Sequence, residues 1–98
     1  MTSYEFLKES KQAVAKYMTE KTGKYFDWCD VHTVWQCKTL QNHKGIFCTL
    51  TPDQLLFEST YNGDKDELYL DTYNKVLNQR FKHGELQTTL TKRLEGDQ

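Results

Sequence analysis

Cys29, His32, Cys37, His43 and Cys48 form the densest set of chemically capable side chains in this sequence. All three cysteines and two of the three histidines lie between residues 29 and 48, where chance scattering would place about 1.2 of the six. Zinc takes four thiolate or neutral imidazole ligands in a tetrahedron. The order here is C-x2-H-x4-C-x5-H-x4-C, which is no standard finger or ribbon. The expected ligand set is Cys29, His32, Cys37 and Cys48, with His43 as an alternate. A closed four-ligand shell would make the zinc structural rather than hydrolytic. The competing reading treats Cys37 and Cys48 as small buried hydrophobes on strands and His43 as a solvated turn residue. Spacing leaves both open. Strand parity adds a condition: Cys29 and Cys37 share a face of a regular strand and His32 does not, so a bulge or loop start at Cys29–Asp30 is needed.

Other chemistries find less support. A Cys–His nucleophile needs a thiolate-stabilising neighbourhood and an oxyanion hole, and no glycine-rich elbow accompanies any cysteine. Asn62-Gly63-Asp64-Lys65-Asp66-Glu67 opens like a calcium loop. It fails because Glu67 sits where glycine is required and Tyr73 where the bidentate glutamate is required. No catalytic residue is assigned, and the chain reads as a non-enzyme. Asp64, Asp66, Glu67 and Asp71, with Tyr61, Tyr69 and Tyr73, make a candidate acidic, tyrosine-rimmed patch for a basic partner surface. The plainer reading is a solvated edge that discourages strand pairing. Lys75, Arg80, Lys82 and Lys92-Arg93 read as a solvated helix face, with a phosphate-contacting stripe as the lesser alternative.

These residues need a scaffold. Ninety-eight residues make one domain, 1–98. Aromatics are 13% and charged residues 28%, a composition that folds. A net charge of -1 argues against generic nucleic-acid coating. No apolar run reaches the roughly 18 residues of a membrane span, and no signal peptide is visible. The expected location is cytoplasmic, where three cysteines do not make a disulfide framework.

The expected fold is α+β. Residues 3–22 read as a helix with Ser3 as N-cap, Leu7, Val14 and Met18 at helical spacing, and Gly23 as the stop. β-formers from Val31 to Tyr61 predict an antiparallel sheet with strands near 31–40, 45–51, 55–61 and 67–70. Gln41 to Gly45 reads as the first hairpin turn, which would set Cys37 opposite Cys48 with Cβ atoms about 5 Å apart. Thr51-Pro52-Asp53-Gln54 reads as the second turn, and Asn62-Gly63-Asp64-Lys65 as the third. A C-terminal helical part over about 71–95 follows. Tyr73, Val76, Leu77 and Phe81 give one helix its stripe, and Leu86, Leu90 and Leu94 suggest another.

The strings Trp35-Gln36-Cys37-Lys38-Thr39-Leu40-Gln41-Asn42 and Thr60-Tyr61-Asn62-Gly63-Asp64-Lys65-Asp66-Glu67-Leu68-Tyr69-Leu70-Asp71 carry a family resemblance. Over roughly residues 4–83 the chain resembles an uncharacterised family of small phage and prophage proteins of Gram-positive bacteria. Cys29, His32 and the tail after Gly84 depart from that pattern, so a metal site using them would be particular to this chain. The resemblance implies an inhibitor of host defence acting in the host bacterial cytoplasm. The foremost expectation is an anti-CRISPR protein of a streptococcal phage that binds the type II RNA-guided nuclease and hinders target DNA loading. A sponge for a nucleotide signal, lined by Trp28, Trp35 and tyrosines, and a small zinc-binding regulatory or nucleic-acid-binding protein are the alternatives.

Overall fold

The computed structural model describes residues 1–52 and 55–86. Helix α1 spans Ser3–Thr22. Its cap is Thr2, one residue earlier than expected. Thr2 and Glu5 form a reciprocal capping box, the hydroxyl accepting from the Glu5 amide and the carboxylate from the Thr2 amide. That satisfies two backbone donors that helix geometry leaves unpaired. Gly23, at φ 73°, stops the helix in the left-handed conformation and donates to the Thr19 carbonyl.

A one-turn 3-10 helix, Trp28–Asp30, leads into the sheet. Strands β1 (Val31–Thr39), β2 (Asn42–Thr49), β3 (Leu56–Asn62) and β4 (Glu67–Tyr73) form an antiparallel meander in the order β1-β2-β3-β4. The expected α+β architecture of an N-terminal helix and a four-stranded antiparallel sheet is present. No helix among the described residues is long and apolar enough to cross a membrane.

Helix α1 lies on one face of the sheet. Phe6, Ser10, Val14 and Met18 recur every fourth residue and are all buried. They meet Val31, Phe47, Phe57 and Tyr61 from the strands. The Phe6, Phe47 and Phe57 rings are fully buried, each contributing about 1.5–3 kcal/mol by leaving water. Two hydroxyls sit inside this layer. Ser10 Oγ and Ser59 Oγ are 2.7 Å apart and share a hydrogen bond between helix and sheet.

The first hairpin differs from the expected one. Its connection is Leu40–Gln41, with Thr39 paired to Asn42, and not Gln41 to Gly45. Gly45 misled the reading because its glycine has a packing cause. A Cβ there would lie 2.9 Å from the Phe47 ring and 3.1 Å from the Phe6 ring, so the helix could not settle on β2. His43 is therefore a buried strand residue, not a solvated turn residue. Its ring stacks on Phe6 at 5.0 Å, and Nε2 is hydrogen-bonded to the Met1 carbonyl.

The C-terminal part also differs. Asp71–Tyr73 continue β4, and residues 74–82 form neither helix nor strand. An amphipathic stripe supports a helix only when something covers it, and every described residue from Asp71 onward is exposed. Helical conformation resumes at Glu85–Leu86; Leu90 and Leu94 lie outside the described residues, as do Asp53 and Gln54 of the second expected turn.

Candidate functional site

Alternation along the strands sends one set of side chains to α1 and the other to an open face. The pairing register lays that open face out as four rows across the sheet. Thr39, Asn42, Asn62 and Glu67 form the first. Cys37, Lys44, Thr60 and Tyr69 come next, then Trp35, Ile46, Glu58 and Asp71, and last His32, Cys48, Leu56 and Tyr73. Lys44 Nζ reaches Glu58 at 3.4 Å. No described element covers these rows. Trp35 and Tyr69 are each 49% exposed, and Leu56 is also exposed.

Of the sulfur and imidazole residues, His32, Cys37 and Cys48 occupy this face, in an unexpected arrangement. Cys29–Asp30 lie in the one-turn helix before β1, so of the two expected devices the loop start is there; the bulge lies instead between Thr33 and Trp35 and brings His32 and Cys37 to the same face. Cys48 then pairs across from His32, while Cys37 pairs with Lys44. The expected opposition of Cys37 and Cys48 does not occur. Four residues of β2 separate their rows, roughly 14 Å at strand rise. His43 points the other way into the core, so it does not join them as an alternate ligand. Cys29 is exposed on the one-turn helix and lines a shallow hollow with Asp30, His32, Tyr25 and Leu50. Among the described residues no group of three or more His, Cys, Asp or Glu side chains is placed to hold a metal ion.

The acidic and tyrosine residues divide into three. Tyr61 is buried beneath α1, and only its hydroxyl reaches out, donating to Asp66 Oδ1 at 2.6 Å. That bond to a carboxylate raises the phenol above the usual tyrosine range, with burial adding to it. Tyr69 likewise donates to Glu67, and its ionisation is pushed up for the same reason. Glu67, Tyr69, Asp71 and Tyr73 form one column along β4, stretched over about 20 Å. Asp64 and Asp66 belong to the β3–β4 turn. The seven residues are therefore not one compact patch.

What the structure does assemble is the end of the sheet where two turns meet. Gln41 of the first turn donates to the Asp64 carboxylate of the other. Asn42 Oδ1 accepts from the Gly63 amide at 2.9 Å. Asn62 Oδ1 accepts from the amides of Asp64 and Lys65 at 3.0 and 3.3 Å. Gly63 permits this approach: a Cβ there would lie 2.4 Å from the Gln41 carbonyl oxygen. Positive φ in this turn falls instead on Asp66, at 54°.

On the clasped base stands Leu40, at φ 57° and 82% exposed. A two-residue hairpin connection with positive φ at its first residue favours glycine there. A leucine in that position costs roughly 1–2 kcal/mol and packs into no core. Sequence reasoning passed over Leu40. The usable signal was an apolar residue breaking alternation just after β1, visible only once the turn is placed two residues earlier.

The two indoles do not share a cavity. Trp28 lies against α1, with the Lys8 ammonium 5.9 Å from its ring, beside a hollow that includes Ala15, Thr19 and Phe26. Trp35 is on the open face of the sheet. No curated protein and no solved structure matches the chain. Residues 7–83 match DUF6275, a family of unknown function, and the chain belongs to that family.

Proposed function

We infer that this protein acts by binding another protein, with the clasped turn end as its docking surface. The observation that carries this is Leu40. Backbone strain on an exposed apolar side chain gives the isolated fold nothing, whereas a projecting anchor on a rigid base suits insertion into a partner's pocket. Rigidity matters because an anchor already held in its bound conformation loses little entropy on docking. Asp64, held by Gln41, sets a carboxylate beside it, and Asp66 adds a second on the same turn end. The complementary surface is an apolar hole rimmed by lysine or arginine.

Nucleic-acid-handling proteins carry such basic surfaces. Together with the phage-protein resemblance, this makes the type II RNA-guided nuclease the partner of choice, and steric hindrance of DNA loading the mechanism. The test is binding and DNA cleavage with purified nuclease and guide. The protein is expected to bind and to slow cleavage. Leu40→Gly is expected to weaken binding by about 30-fold without loss of folding. Asp64→Asn with Asp66→Asn should slow association and flatten its salt dependence. Undiminished cleavage and no binding would end the nuclease reading. Leu40→Gly binding as tightly as the parent would end the docking surface.

A further inference from the structure

Two surfaces are left uncovered by the described residues, and each has the chemistry the other needs. The first is the open sheet face with Trp35, Ile46, Leu56 and Tyr69. The second is the segment after β4, where Val76 is 96% exposed and Leu77 and Phe81 are also exposed. Val76, Leu77 and Phe81 fall on one side of a helix if the segment coils. Residues 74–86 would then extend about 20 Å, enough to cross four strands spaced about 4.8 Å apart.

Charge points the same way. Residues 74–86 hold Lys75, Arg80 and Lys82 against one carboxylate, Glu85. The open face holds Glu58, Glu67 and Asp71 against one lysine, Lys44, which already pairs with Glu58. A basic amphipathic segment therefore matches an acidic, aromatic face.

The connection favours exchange between copies. β4 is an edge strand, and Val76 comes after only Asn74 and Lys75. Two residues are the shortest strand-to-helix connection, and neither is a glycine or proline that would turn the chain back over its own sheet. The segment is exposed along its whole described length rather than packed on its own sheet.

We propose that the open sheet face is a docking site for residues 74–86 of a second copy of this chain, in a reciprocal exchange that gives a twofold dimer. The segment coils as it docks, because the face supplies the burial that the isolated stripe lacks. The clasped turn ends stay outside the exchange, so this inference does not rest on the partner reading above.

The test uses the full chain, native mass spectrometry and light scattering. The parent is expected to be a dimer. Trp35→Glu damages the face and Phe81→Glu the segment. Both side chains are half exposed in the single copy, so both variants should keep the parent's cooperative unfolding. Each alone should dimerise at least about 30-fold more weakly. Mixed in equal amounts they should recover a heterodimer, since one intact segment then meets one intact face. A monomeric parent would overturn the proposal, including one whose Trp35 emission shifts red in Phe81→Glu, which would mean the segment covers its own sheet. A dimer indifferent to both substitutions would overturn it too, as would a mixture that stays monomeric.

Discussion

Removing one hydroxyl of the Ser10–Ser59 pair should cost more than removing both. The two oxygens are 2.7 Å apart, and both residues are fully buried. In Ser10→Ala the Ser59 hydroxyl is stranded on a central strand whose backbone groups are committed to β2 and β4. A buried polar group left without a partner costs about 1–3 kcal/mol, so about 2 kcal/mol is expected. In Ser59→Ala the stranded group is Ser10, on a helix, where a serine hydroxyl can turn back to the carbonyl four residues earlier. That escape should hold the loss to about 1 kcal/mol. The double variant buries two methyl groups and no orphan, so its loss should be under about 1 kcal/mol. Urea unfolding with an unchanged m-value measures all four proteins, and the double-mutant cycle extracts the coupling. Losses that simply add, with the double variant worst, would refute this account of how helix and sheet are joined.

Gly45→Ala should destabilise by about 1–3 kcal/mol, because its Cβ would press on the Phe47 and Phe6 rings; thermal unfolding checks it, and no loss would mean α1 does not approach β2 so closely. Leu40→Gly should stabilise by up to about 1 kcal/mol, read by the urea midpoint, since the left-handed backbone then carries no Cβ penalty. The Glu5 carboxyl is held below its ordinary range, chiefly by the hydrogen bond from the Thr2 amide. A lowered folded value means its contribution is complete above the unfolded pKa and is lost as pH falls through the folded one. Glu5→Gln should therefore flatten the acid side of the stability profile. Tyr61 has the opposite sign: its raised ionisation makes its contribution complete below the ordinary tyrosine pKa of about 10 and lost as pH rises through the folded value. Ultraviolet titration of Tyr61→Phe should lack one late-ionising phenol.

Much of the scaffold was legible in the sequence. Helical spacing of Leu7, Val14 and Met18 and a glycine stop located α1 nearly to the residue, and β-formers between turn signals located all four strands. Those signals are local, carried by backbone preference and side-chain period. The misreadings came where a residue's reason was nonlocal. Gly45 looked like a turn glycine but makes room for Phe6, and Gly63 makes room for Gln41. Misplacing that first turn set the wrong register, which put Cys37 opposite Cys48 and His43 in water. The 71–83 stripe has helical period, yet period does not supply a covering surface, and the single copy leaves that stripe exposed.

The sequence by itself determined the N-terminal helix, the four strands, their order and their antiparallel pairing, because short connections leave consecutive strands few other ways to pair. Only the tertiary structure decided which side chains share a face, through one bulge near Val34 and a two-residue turn at Leu40–Gln41. A shift of a single residue in either reverses the direction of every side chain beyond it, and no local propensity senses so small a difference.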